Sequence, residues 1–215
     1  VQTVKFEEVY ANATGTTGLK THGQANVSVK AGIFKNLVTG MDVTNGSSSS
    51  TPEIIGGIFL DCELGLSYYG GELDATSIRA DGCDMGVFAY VSQNSQIKTL
   101  VLTNNTSYGM YLGSSANSSI DMFIDGGNIK DNGTGIYQDS YDMSLTGTCV
   151  NYEDNTVGIF TMSDVNLSTT KTINGNVGGN CTFKNNNLGI NVSGELYLDM
   201  GNNNFINKTI EIHIF

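Results

Sequence analysis

A glycine followed by an aliphatic residue returns along this chain at near-regular intervals. It stands at Gly18-Leu19, Gly40-Met41, Gly65-Leu66, Gly86-Val87, Gly109-Met110, Gly135-Ile136, Gly158-Ile159 and Gly189-Ile190, with a degenerate ninth copy at Thr209-Ile210. The intervals run from 20 to 26 residues, with one of 31. A fixed period of this size is the mark of a repeat architecture. Other residues keep step with the glycine. Phe34, Phe59, Ile129, Tyr152 and Phe183 lie six before it, and Asn36, Asp61, Asn105, Asp131, Asp154 and Asn185 four before it. Val43, Tyr68, Ala89, Leu112 and Val192 lie three after it.

The residues after each glycine alternate apolar and polar, which is the period of a strand and not of a helix. Ile136 is therefore expected to point inward and Tyr137 outward. The Asn, Asp and Gly ahead of the strand tolerate left-handed backbone and turn the chain. One such strand–turn–strand unit cannot bury its own apolar face. Stacking units ~4.8 Å apart pairs each with the next and closes one continuous core. The expectation is an all-β solenoid of about nine coils of 20 to 26 residues, a rod roughly 40 Å long. Residues 1–215 form a single domain in this reading, with a polar loop insertion at 163–180 filling the long interval. A two-sheet sandwich is the competing architecture, but its loops would not keep one residue type in one place through eight repeats.

These columns resemble the right-handed parallel β-helix, the fold shared by pectate-lyase-like enzymes, phage tailspikes and the passenger regions of bacterial adhesins and autotransporters. The resemblance spans nearly the whole chain, and the fold hosts many functions. It implies, for the polysaccharide-processing members, clustered Asp ligands for calcium with a basic residue, or paired Asp residues with a His and an Arg-x-Lys. Here Arg79 has no such partner, His22-Gly23 lacks the preceding Gly, and neither an Asn-Thr-Asp nor an Asp-Asp pair occurs. Glycosidase chemistry needs two carboxyl groups flanking one bond. Only convergence of Asp121, Asp125, Asp139, Asp142 and Glu153 through coiling would supply them. The sequence thus leaves catalysis without a defined residue set, and no metal or cofactor is expected.

Composition narrows the partners. The formal net charge is −11, which disfavours nucleic acid and anionic surfaces, since both demand clustered Lys and Arg. No apolar run is long enough for a membrane span, so no membrane insertion is expected. The chain opens without a basic start and apolar core, and it closes on the strand-like Ile210 to Phe215. It therefore reads as a piece of a longer protein. The Asn-x-Ser/Thr triplets at Asn12, Asn26, Asn117, Asn132, Asn166, Asn191 and Asn207 are weak signals in so Asn-rich a chain.

Cys62 and Cys83 each lie three residues before their glycine, so they stack in consecutive coils. Cys149 and Cys181 lie nine and eight before theirs, which is nearly the same place. Stacked Cα atoms fall within bridging range. Two readings remain open: rung-to-rung disulfides in an exported protein, or buried free thiols packed as small apolar residues.

A second outward column carries the functional expectation. Two residues after the glycine stand Phe88, Tyr111, Tyr137 and Phe160 in four consecutive coils, flanked by Asp42, Ser67, Asn191 and Glu211. An exposed aromatic stripe marks a contact surface, while ordinary cross-strand stacking is the plainer alternative. The expected protein is a non-enzymatic, secreted or surface-displayed stalk and adhesin segment, extracellular or on the cell surface. It would bind a glycan, or a host or microbial surface protein, along those four rings. A polysaccharide-processing enzyme or tailspike fragment is the alternative. Open coil ends add the option of self-association.

Overall fold

A computed structural model describes residues 3–23, 26–45, 52–114, 119–173, 175–199, 202–206 and 212–214. The described chain is strand and turn, without a helix. It is a parallel β-solenoid of about eight turns. One sheet takes a single strand from each coil in chain order, from Thr17–Gly23 through Tyr108–Ser114 to Ile212–Ile214, nine strands in all among the described residues. The other sheet holds fourteen strands among the described residues and bends around a corner of the coil.

Register places the repeat columns directly on one another. Phe34 pairs with Phe59, Ala80 with Leu102, Ile129 with Tyr152, and Tyr152 with Phe183 and on to Phe205. All but the outermost of these side chains are buried. Their rings stack along the axis, with centroids 5.3 Å apart for Phe34–Phe59, 4.7 Å for Tyr152–Phe183 and 5.0 Å for Phe183–Phe205. A second inward column runs Met41, Leu66, Val87, Met110, Ile136, Ile159 and Ile190. Ile136 is fully buried while its neighbour Tyr137 lies half out on the surface, as alternation requires.

The glycine column has a packing cause. A Cβ at Gly86 would lie 2.6 Å from the carbonyl oxygen of Gly109. The same contact joins Gly65 to Gly86 at 2.4 Å, Gly109 to Gly135 at 2.6 Å and Gly135 to Gly158 at 2.5 Å. Each glycine admits the backbone of the next coil, a role no larger residue can take.

Three departures from the sequence expectation follow from register. The last strand pairs Ile190 with Ile212, so the ninth coil sits two residues beyond the Thr209-Ile210 frame, whose own residues lie outside those described. The residue that pairs with Asn191 is accordingly His213, and Glu211, expected in that place, lies outside the described residues. Within 163–180, the segment Val165–Leu167 is no loop but continues the large sheet, pairing with Leu145 and Thr146 on one side and with Leu196–Leu198 on the other. The excursion proper begins after Leu167 and carries a short antiparallel hairpin, Thr172–Ile173 against Asn176–Val177.

Candidate functional site

Each coil turns at left-handed corners. One column of corners holds Asn36, Asp61, Gly82, Asn104, Asp131, Asp154 and Asn185, all with φ between 52° and 72°. Asn, Asp and Gly are the residues that accept this backbone. A second column holds Glu8, Ala31, Gly56, Ser77, Thr99, Gly126, Cys149 and Asn180, also at positive φ. Sequence reasoning missed this second corner because its residues share no chemical type.

The residue after the first corner turns inward. In successive coils it is Leu37, Cys62, Cys83, Asn105, Asn132, Asn155 and Asn186, all buried. The four asparagines form a hydrogen-bonded ladder. The Asn105 side-chain amide donates to Asn132 Oδ1 at 2.8 Å, Asn132 to Asn155 Oδ1 at 2.9 Å, and Asn155 to Asn186 Oδ1 at 2.9 Å. Each Oδ1 also accepts the backbone N–H of the ladder residue one coil earlier. Each of the four amides also donates to a carbonyl of the inward aromatic column: Ala80, Leu102, Ile129 and Tyr152 in turn. Asn105 thus belongs to the ladder and not to the turn column in which spacing placed it, because its coil carries one extra residue and Asn104 makes the corner. A doublet of Asn or Asp followed by Asn, as in Asp131-Asn132 and Asp154-Asn155, is the signal that marks the ladder in the sequence.

The opposite sheet carries the aromatic column. Phe88 pairs with Tyr111, Tyr111 with Tyr137 and Tyr137 with Phe160 across four parallel strands. The ring centroids are 5.3, 5.4 and 4.8 Å apart, with interplanar angles of 17°, 24° and 5°. All four rings are half-buried. Sequence reasoning missed three rings beside this column. Tyr108 meets Tyr111 edge-on at 5.8 Å and Tyr137 at 5.0 Å. Tyr69 and Tyr90 stack at 5.0 Å in the next outward column, and Tyr90 leans over Gly113, which has no side chain to obstruct it. The faces of the inner rings cover one another, so the surface presents ring edges and phenol groups. The Tyr111 hydroxyl donates to Asp139 Oδ2 at 2.9 Å. Burial, reinforced by that carboxylate, pushes the Tyr111 hydroxyl up to about 12, and burial also raises Tyr137.

The four cysteines are free thiols in this structure. Cys62 and Cys83 are buried neighbours in the inward column, each beside a left-handed corner residue. A hydrogen bond shared between them lowers Cys62 to about 7 and, with burial, drives Cys83 far upward. Cys149 and Cys181 do not stack. Thr148 bridges to Gly179, so Cys149 occupies the second corner and is exposed, whereas Cys181 follows the corner Asn180 and turns into the core. Burial raises the Cys181 thiol to about 12. The one-residue difference in spacing read from the sequence thus separates outside from inside.

Of the carboxylates that catalysis would require, Asp142 lies one coil from Asp121, its carbonyl accepting the Ile120 N–H at 2.8 Å. Asp121 and Asp125 precede the corner Gly126 on one strand, Glu153 follows the corner Cys149 and pairs with Lys184, and Asp139 sits at the end of the aromatic strand Thr134–Gln138. Arg79 pairs with Asp81 at 3.1 Å on the surface. Among the described residues, no three His, Cys, Asp or Glu side chains come together as a metal cluster. Of the glycosylation triplets, Asn132 and Asn166 are buried and hydrogen-bonded and Asn12 is exposed. Asn117 and Asn207 lie outside the described residues.

Fold and surface together define a parallel β-solenoid with an aromatic strip along one sheet. No family model matches the chain, and neither a curated protein nor a solved structure matches it.

Proposed function

We propose that this chain is a non-enzymatic β-solenoid segment of a secreted or surface-displayed protein, serving as a stalk that binds a glycan along Phe88, Tyr111, Tyr137 and Phe160. The observation that carries this reading is the continuous ring stack in four consecutive coils, half-open to solvent. A structural stack needs no exposed edge. This one adds the Tyr111 hydroxyl, the Tyr137 phenol and the Asp139 carboxylate to that edge. Apolar ring edges alternating with hydrogen-bonding groups suit a polyhydroxylated ligand that offers both C–H faces and hydroxyls. The net charge of −11 favours neutral or basic sugars over acidic ones.

A glycan array probed with the chain and with Tyr111→Ala/Tyr137→Ala, followed by product analysis of every hit, tests the reading. The expected result is selective retention that the double variant loses, with the glycan left intact. Cleaved glycan would replace this reading by that of a polysaccharide-processing enzyme. Silence across the array would turn the strip into a protein-binding face or a purely structural stack.

A further inference from the structure

Among the described residues, Asp121 is the carboxylate with a buried oxygen that has no hydrogen-bond partner. It is the second residue of the strand Ile120–Lys130, on the outward side, yet only 4% of it is exposed. Its backbone N–H donates to Asn94 Oδ1 at 2.9 Å, but its Oδ2 is buried without a hydrogen-bond partner. None of the ion pairs among the described residues includes it. Register explains the setting. Asp121 pairs with Ser144, and two residues on Phe123 pairs with Thr146, whose hydroxyl is also buried and unpartnered. The excursion after Leu167 packs back on this side of the sheet, and Asn176 from its hairpin lines the same cavity as Asp121.

That cavity, about 210 Å³, is lined by Glu72, Asn94, Ser95, Gln96, Asp121 and Asn176. Two carboxylates, three amides and a hydroxyl make the lining rich in oxygen, and it contains no Lys, Arg or His. A buried carboxylate oxygen without donor or counter-charge carries a large desolvation cost. The missing partner must be positive or a donor, and the atoms with which this lining can ligate a cation are hard oxygens, from carboxylate, amide and hydroxyl groups. Zinc and copper, which favour His and Cys, do not fit. Magnesium demands near-octahedral order, whereas calcium accepts irregular sets mixing carboxylate with amide and hydroxyl oxygen.

We infer that the cavity lined by Asn176 of the Asn176–Val177 strand is a calcium-class divalent cation site with the Asp121 carboxylate as its anchoring ligand. With two carboxylates and otherwise neutral donors, its affinity falls in the weak range of about 0.1–1 mM. The cation ties the hairpin to the body of the solenoid and neutralises the buried Asp121 carboxylate. This inference does not depend on the aromatic strip.

The test uses the whole chain after chelator treatment, with calcium and then magnesium added to 10 mM-scale excess over the expected range. Calcium is expected to raise the melting temperature by about 4 °C. Terbium is expected to give luminescence sensitised by Tyr68, whose hydroxyl donates to the Glu72 carbonyl at 2.7 Å. Asp121→Asn, compared only by its calcium increment, should lose both signals. Asn176→Ala, which leaves the sheet intact, should weaken terbium binding several-fold. Absence of a calcium shift and of terbium luminescence in the unaltered chain overturns the inference, as does full retention of both signals in Asp121→Asn.

Discussion

The Asn105 side-chain amide donates to Asn132 Oδ1 at 2.8 Å across two coils, inside the core and away from water. The same oxygen accepts the Asn105 backbone N–H at 3.1 Å. One side chain therefore satisfies two buried donors at the point where each coil turns. The chain leaves these backbone groups unpaired by its sheets, so in these coils the ladder is what satisfies them inside an apolar core.

Truncating the ladder should therefore cost more than an ordinary polar deletion. Asn132→Ala leaves both Asn105 donors without an acceptor and is expected to destabilise the fold by about 3 kcal/mol. Asn12→Ala, on an exposed side chain, is expected to stay within about 0.5 kcal/mol. Urea unfolding of the two variants against the parent checks the difference.

The glycine column should be intolerant of even a methyl group. In Gly109→Ala the new Cβ would lie 2.6 Å from the Gly135 carbonyl oxygen, a backbone atom that cannot swing aside. Separation of two coils is the only relief, and the expected loss is about 3 kcal/mol. Gly15→Ala provides the contrast in space, since nothing lies within 4 Å of its would-be Cβ. Its φ of 78° leaves only backbone strain, about 1 kcal/mol. Thermal melts of both variants decide.

Alkaline titration reads the aromatic strip. The Tyr111 pKa is raised to about 12, above the value of about 10 in an unfolded chain. A raised pKa means that the neutral form is favoured by folding. The contribution is whole below about pH 10 and is lost as pH climbs through about 12. Phenolate absorbance should therefore show a late step at about pH 12 that Tyr111→Phe removes. Asp139→Asn removes the carboxylate that opposes ionisation, so it should move the late step to lower pH.

Asp121 gives the opposite end of the pH scale. Burial raises its carboxyl pKa above the unfolded value of about 3.9. Its contribution is favourable below that pH and is lost as the group ionises at higher pH. In chelator, the stability of Asp121→Asn relative to the parent should thus improve steadily from pH 3 to pH 7. A relative stability that does not change with pH would contradict the buried, uncompensated carboxylate.

Much of this fold is legible in the sequence because a solenoid reuses one set of contacts. Phe34, Phe59, Tyr152 and Phe183 repeat as a column because each ring packs on the next, and chemical likeness between coils reveals the packing. The Gly columns repeat because each faces a backbone carbonyl. The second corner was invisible for the same reason inverted: Ser77, Thr99 and Cys149 need only left-handed backbone, and that demand leaves no common side chain. The ladder asparagines were hidden by their likeness to turn residues, since Asn105 differs from Asn104 by direction and not by chemistry. In the candidate site, the four stacked rings followed from alternation alone. Tyr108, Tyr90 and Asp139 required knowledge of which side chains lean toward the column.

All of these arguments rest on one register, in which Asp42 and Asn191 occupy the same outward column six coils apart. Spin labels at Asp42→Cys and Asn191→Cys, in a Cys149→Ser background so that the exposed thiol is not labelled, measure that register in one distance. Pulsed electron resonance should give a single narrow distribution centred at ~30 Å, six strand spacings along the axis. A distance well below 20 Å, or a broad distribution, would contradict the stacked solenoid and with it the aromatic strip.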